Sequence, residues 1–152
     1  MTDAPGNDPN LIRLQAIESD IAAGKLREAA DAINALARTA PTDARVYLAG
    51  AMLSRVARDL PAEIDSLRRA LALLPNRPRV RLDLAKALSR GGKHAEAVAT
   101  ANAAVAMEPT NLMALEVAVA VAYTAGDPAT VQRHLKSALA LRPNDASIHR
   151  AL

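Results

Sequence analysis

The sequence has 152 residues, 51% of them hydrophobic, with a formal net charge of +3 and no cysteine. That length allows one domain with a substantial core, and the missing cysteine excludes disulfides, thiolate metal sites and a cysteine nucleophile. Phe and Trp are absent, only two Tyr are present, and Ala and Leu are in large excess, so helices are favoured over sheets.

The opening stretch, MTDAPGNDPN, has neither the basic start nor the apolar centre of a secretory signal. Residues 1–9 read as a flexible N-terminal segment. The longest apolar run, LMALEVAVAVAYTA at 112–125, contains Glu116 and falls short of the roughly 18 to 20 apolar residues that cross a bilayer. These features predict a soluble, cytoplasmic protein, and the Ala and Arg bias suggests a GC-rich bacterial source.

From residue 10 the chain is periodic. Pro41, Pro75, Pro109 and Pro143 are spaced 34 residues apart, each after a helix-like apolar run and just before Asp43, Asn76, Asn111 or Asn144 and Asp145. Proline cannot continue a helix, and Asn or Asp can cap the next one. Gly24, Gly92 and Gly126 lie 17 residues before their prolines, where a tight inter-helix turn needs positive φ. Arg58 takes the glycine's place in the second period, with Pro61 nearby to start the following helix; in the fourth, Asp127 and Pro128 supply a cap and a first helical residue. The phrases ALALLPN (70–76) and ALALRPN (138–144) stand two periods apart and mark the ends of second helices. VAVAVAY at 117–123 alternates like a strand, but its phase makes it part of a first helix. The periods run 10–43, 44–77, 78–111 and 112–145, and residues 146–152 begin a further helix.

A 34-residue helix–turn–helix ending in Pro resembles the tetratricopeptide repeat (TPR) family. The eighth places of the four periods hold Ile17, Ala51, Ala85 and Val119; the twentieth, Ala29, Glu63, Ala97 and Val131; the twenty-seventh, Leu36, Ala70, Ala104 and Ala138. The family pattern expects small residues at most of these places. Its aromatic places are filled here mainly by Leu, Ile or Ala. The resemblance implies an all-α, right-handed α-solenoid of helix–turn–helix units with contacts between neighbours.

Signals for catalysis and cofactors are weak. GGKHAEA at 91–97 lacks the upstream Gly, the following Ser or Thr and the preceding strand of a phosphate loop. His94, His134 and His149 form no metal-ligand pattern and are expected to be solvent-exposed. Glu63 and Asp65 are two apart and point to different sides of a helix. No cofactor, metal or catalytic residue is assigned. Nucleic acid is not expected, because stacking aromatics are almost absent, and no membrane contact is expected.

The resemblance further implies that first helices line a groove that holds peptides or partner helices. The groove places include Leu11, Leu14 and Glu18, then Arg45, Leu48, Met52 and Arg55, then Arg79, Leu82, Lys86 and Arg90, and finally Tyr123. Charge is uneven, with 7 acidic and 4 basic residues in 1–43 but 11 basic and 6 acidic in 44–111. The assigned peptide-binding set is Arg45, Leu48, Met52, Arg55, Arg79, Leu82, Lys86, Arg90 and Tyr123, predicting a partner with acidic and aliphatic residues. The expected function is a non-catalytic protein-interaction scaffold. The alternative is an N-terminal substrate-docking or oligomerisation module of a larger bacterial enzyme: a glycosyltransferase, methyltransferase, sulfotransferase or 2-oxoglutarate-dependent hydroxylase. The uncapped final helix also admits a homo-oligomer through the C-terminal end.

Overall fold

The computed structural model describes residues 8–152, all-helical and arranged as helix–turn–helix pairs. The described residues form two compact units, the first ending at Leu74 and the second spanning Pro75–Leu152. Residues 1–7 of the expected flexible segment lie outside the described residues, whereas Asp8 caps the first helix and Pro9 begins it.

In the first unit, α1 (Pro9–Ala22) pairs with α2 (Leu26–Thr39), and α3 (Ala44–Val56) pairs with α4 (Leu60–Leu73). Helix α3 also packs on both α1 and α2. Their shared core contains Leu14, Ile17, Ile21, Ala29, Leu36, Val46 and Ala49. Ala29 at 0% exposure and Ala70 at 0% are the small residues expected at their repeat places. Small side chains there let helix backbones approach, while the large ones fill the space between them.

In the second unit, α5 (Pro78–Arg90) pairs with α6 (His94–Met107), α7 (Leu112–Thr124) with α8 (Pro128–Leu141), and α9 (Ala146–Ala151) rests on α8. The alternating VAVAVAY segment is helical, within α7. Ala97, Ala101 and Ala104 of α6 are buried, as are Leu82, Leu84 and Leu88 of α5 and Leu115 of α7. Among the described residues, no helix is long and apolar enough to cross a membrane.

The turn inside each pair has one construction used four times. Gly24, Gly92 and Gly126 adopt φ of 76°, 72° and 69°, and Arg58 occupies the same phase with φ 58°. The next residue's N–H reaches back five positions: Lys25 to Asp20 O, Asp59 to Ser54 O, Lys93 to Leu88 O and Asp127 to Ala122 O, at 2.8–3.0 Å. This is the Schellman arrangement, which satisfies orphan carbonyls at a helix end through one left-handed residue. Arg58 therefore takes the glycine's backbone conformation instead of replacing the turn, at a steric cost that glycine avoids.

Side-chain caps occur in both kinds of turn: inside pairs, Asp59 and Asp127 cap α4 and α8. Asp43, Asn111 and Asp145 accept backbone N–H groups at the starts of α3, α7 and α9. Asn76, expected to cap the corresponding helix, does not do so. Arg77 holds the cap phase without a side-chain bond, and Pro78 begins α5 with its preset φ. A second device recurs four places into the period. Tyr47 Oη donates to Pro41 O at 2.9 Å, Arg81 Nη2 to Pro75 O at 3.1 Å and His149 Nε2 to Pro143 O at 2.8 Å. Three unrelated side chains thus satisfy the same loop carbonyl, while Leu115 at this phase is buried in the core.

Two histidines depart from the expected exposure. His134 is 5% exposed and its Nε2 lies 2.6 Å from Asn102 Oδ1. His94 is half-buried, with its Nδ1 enclosed and lacking a hydrogen-bond partner. Burial holds the His134 pKa below its usual value, helped by nearby Arg133 and opposed by Asp127.

Two measurements test this account. Arg58→Gly should stabilise the protein by about 0.5–1 kcal/mol, because the positive φ becomes cost-free. Gly92→Ala should lose a comparable amount in chemical denaturation; its added Cβ meets nothing within 4 Å, so the loss isolates the backbone term. The second test is pH. Because the folded pKa of His134 is depressed, its contribution is fully present above the unfolded value of about 6.5 and is lost as pH falls below it. Thermal melts between neutral and mildly acid pH should show that decline, and His134→Gln should flatten it.

Candidate functional site

In the first unit, an open cleft of about 370 Å³ lies between α1 and α3, lined by Leu11, Leu14, Gln15, Glu18, Arg45, Leu48, Ala49 and Met52. Leu14 and Ala49 are buried, Leu48 and Met52 half-buried, and Glu18 and Arg45 exposed. Thus places on successive first helices converge on one apolar floor with a polar rim. That convergence follows from helical phase, since equivalent residues on neighbouring first helices share a face.

The charges on this unit are arranged differently from a free basic strip. Arg45 donates from Nε to Asp43 at 2.9 and 3.2 Å, and its Nη2 lies 2.7 Å from Asp43 Oδ2 and 2.8 Å from Asp8 Oδ2. The Arg45 guanidinium holds both carboxyls below their ordinary pKa, and they in turn raise the arginine's. Arg55 is half exposed, but its Nε donates at 2.8 Å to Glu63 Oε1, on a side chain only 1% exposed. Glu63 stands where the neighbouring periods have Ala29 and Ala97, both fully buried. A charge at a small-residue place was visible in the sequence; its partner eight residues earlier was not. Removing Arg55 would take a cation away from a buried carboxylate, a change expected to destabilise the unit.

In the second unit, α5 keeps an excess of positive charge. Arg79 and Lys86 share one carboxylate, Asp83, at 3.4 and 3.9 Å. Arg90 is exposed at the end of the same helix. Arg79 Nη1 also approaches Met113 Sδ at 3.6 Å. A cleft of about 530 Å³ beside them is lined by Arg77, Arg79, Leu82, Glu108, Asn111 and Met113, among others. Leu82 is 1% exposed, so it can serve only as floor.

Tyr123 stands apart from this group. It is 78% exposed on α7 and borders a second cleft, of about 710 Å³, with Leu115, Glu116, Val119, Leu135, Arg142 and Ile148. Except for Tyr123, this mainly apolar cleft was absent from the sequence-assigned set; its lining comes from three helices whose approach only the tertiary structure brings about. Among the described residues, no group of three or more His, Asp or Glu side chains is placed to hold a metal ion.

Comparison with known proteins agrees with this architecture. A sequence model of the tetratricopeptide repeat matches residues 64–115. Cellulose synthase 2 operon protein C of Komagataeibacter xylinus is 40% identical over 130 residues, covering 84% of this chain but 10% of that protein. The chain therefore spans about a tenth of the length of this relative. Among solved structures, MamA aligns with a TM-score of 0.75 at 18% identity, covering 89% of this chain and 79% of that one. PilF of Pseudomonas aeruginosa aligns at 0.70 and 18% identity, over 92% of this chain and 64% of the other. At such identities the two structures speak to the fold alone. The 34-residue period, its repeated left-handed turn and the match of the sequence model at 64–115 lead to one conclusion: the chain carries tetratricopeptide repeats.

Proposed function

We propose that the chain is a non-catalytic interaction module that holds a partner segment carrying acidic and aliphatic residues. One observation carries this reading: on α5, Arg79 and Lys86 share the single carboxylate of Asp83 beside the cleft floored by Leu82 and edged by Met113. Exposed ion pairs are worth at most about 1 kcal/mol, so a partner's carboxylate can displace Asp83 at small cost. Arginine then offers two parallel hydrogen bonds, and Met113, 46% exposed, offers an adaptable apolar surface. Arg45 and Arg55 contribute less, because internal carboxylates already hold them.

The relative's length, of which this chain matches 10%, supports a second reading, a docking or oligomerisation segment of a longer protein. An immunoblot of the native product tests it: a species well above 16.0 kDa is expected, and one at that mass overturns it.

Fluorescence anisotropy with a labelled Glu/Leu peptide tests the main reading. The wild-type chain should bind it, and Arg79→Glu/Lys86→Glu should weaken binding roughly tenfold, about 1.4 kcal/mol. Added salt should weaken it as well. Both substituted side chains are exposed, so the variant should keep its helical circular dichroism. A folded variant that binds as tightly as wild type would sink the reading.

A further inference from the structure

The reading above places acidic ligands on α5, and the α1–α3 cleft has the opposite polarity. Resting on that interaction-module reading, we propose that the α1–α3 cleft receives a segment with an aliphatic anchor beside a Lys or Arg. Its floor of Leu14, Leu48, Ala49 and Met52 suits an unbranched or γ-branched aliphatic side chain. Its rim decides the charge.

Among the described residues that line the cleft, Arg45 is the one cation, and it is committed. Asp43 engages Nε and Nη2, while Asp8 engages Nη2 from the N-cap of α1. Both carboxyls lie below their ordinary pKa through these bonds, so all three groups stay charged at neutral pH. Swinging Arg45 toward an incoming carboxylate would break two ion pairs at once.

Glu18 remains. It is exposed on the cleft rim and has no ion-pair or hydrogen-bond partner among the described residues. Among the described residues around the cleft, three carboxylates thus face one guanidinium, and the excess negative charge is at Glu18. An apolar floor beside that carboxylate lowers the local screening and strengthens its attraction for a cation compared with open surface. The equivalent places in the other repeats hold Met52, Lys86 and Ala120, so an acidic residue occupies this place in the first repeat alone. Residue counting, which scores Arg45 as free and basic, points the other way.

The test uses the full chain and two labelled peptides, one of Lys and Leu and one of Glu and Leu, read by anisotropy. The Lys/Leu peptide should bind. Glu18→Gln should weaken it roughly fivefold and Glu18→Lys by tenfold or more, whereas Arg79→Glu/Lys86→Glu should leave it no weaker. The Glu/Leu peptide should lose nothing with Glu18→Lys. Unchanged circular dichroism melts confirm that each variant folds. Absence of Lys/Leu binding, or binding indifferent to Glu18→Lys, overturns the proposal. Failure of the Glu/Leu peptide alone removes only the acidic-partner reading on α5.

Discussion

Each helical pair in this protein depends on a single residue held at positive φ, at positions 24, 58, 92 and 126. The left-handed residue lets the following N–H reach five positions back and close the helix end. Without it the first helix would leave carbonyls unsatisfied, and the second could not fold back against the first. Everything else sits in register with that turn. Three of the four positions use glycine, for which this conformation costs nothing. At Arg58 the packing of α3 on α4 imposes the conformation on a residue that disfavours it.

A repeat built this way needs small residues where helices approach, and alanine supplies most of them. Glu63 is the departure. Its carboxylate occupies a place filled by buried alanine in two other periods, and Arg55 from the partner helix neutralises it. Such a pair adds little net stability, since desolvation offsets most of the attraction. The arginine that sequence reasoning assigned to ligand binding therefore has a structural obligation first.

The same logic separates the basic residues into two groups. On α3, Arg45 and Arg55 meet carboxylates that hold them at 2.7–2.8 Å. On α5, Arg79 and Lys86 divide one carboxylate at longer distances. A surface can recognise a partner's charge only where its own charges are not already satisfied more tightly. That criterion is the ground for proposing acidic ligands at α5 and cationic ones beside Glu18.

The 34-residue spacing of prolines and turn residues was sufficient, by itself, to specify an all-helical TPR fold, because backbone demands recur wherever the same turn recurs. It located the left-handed glycines, the helical phase of VAVAVAY and the buried alanines at Ala29, Ala97 and Ala104. It misplaced one cap, at Asn76, because Arg77 and Pro78 start α5 by a different route. The buried state of His134 also escaped it, since the hydrogen bond to Asn102 joins residues 32 apart. Asp8 and Asp43 on Arg45, Glu63 beneath Arg55, and the unmatched Glu18 were decided only by the tertiary structure. Periodicity reports what each local turn requires, whereas the net charge of a cleft depends on which side chains from separate helices come within hydrogen-bond reach.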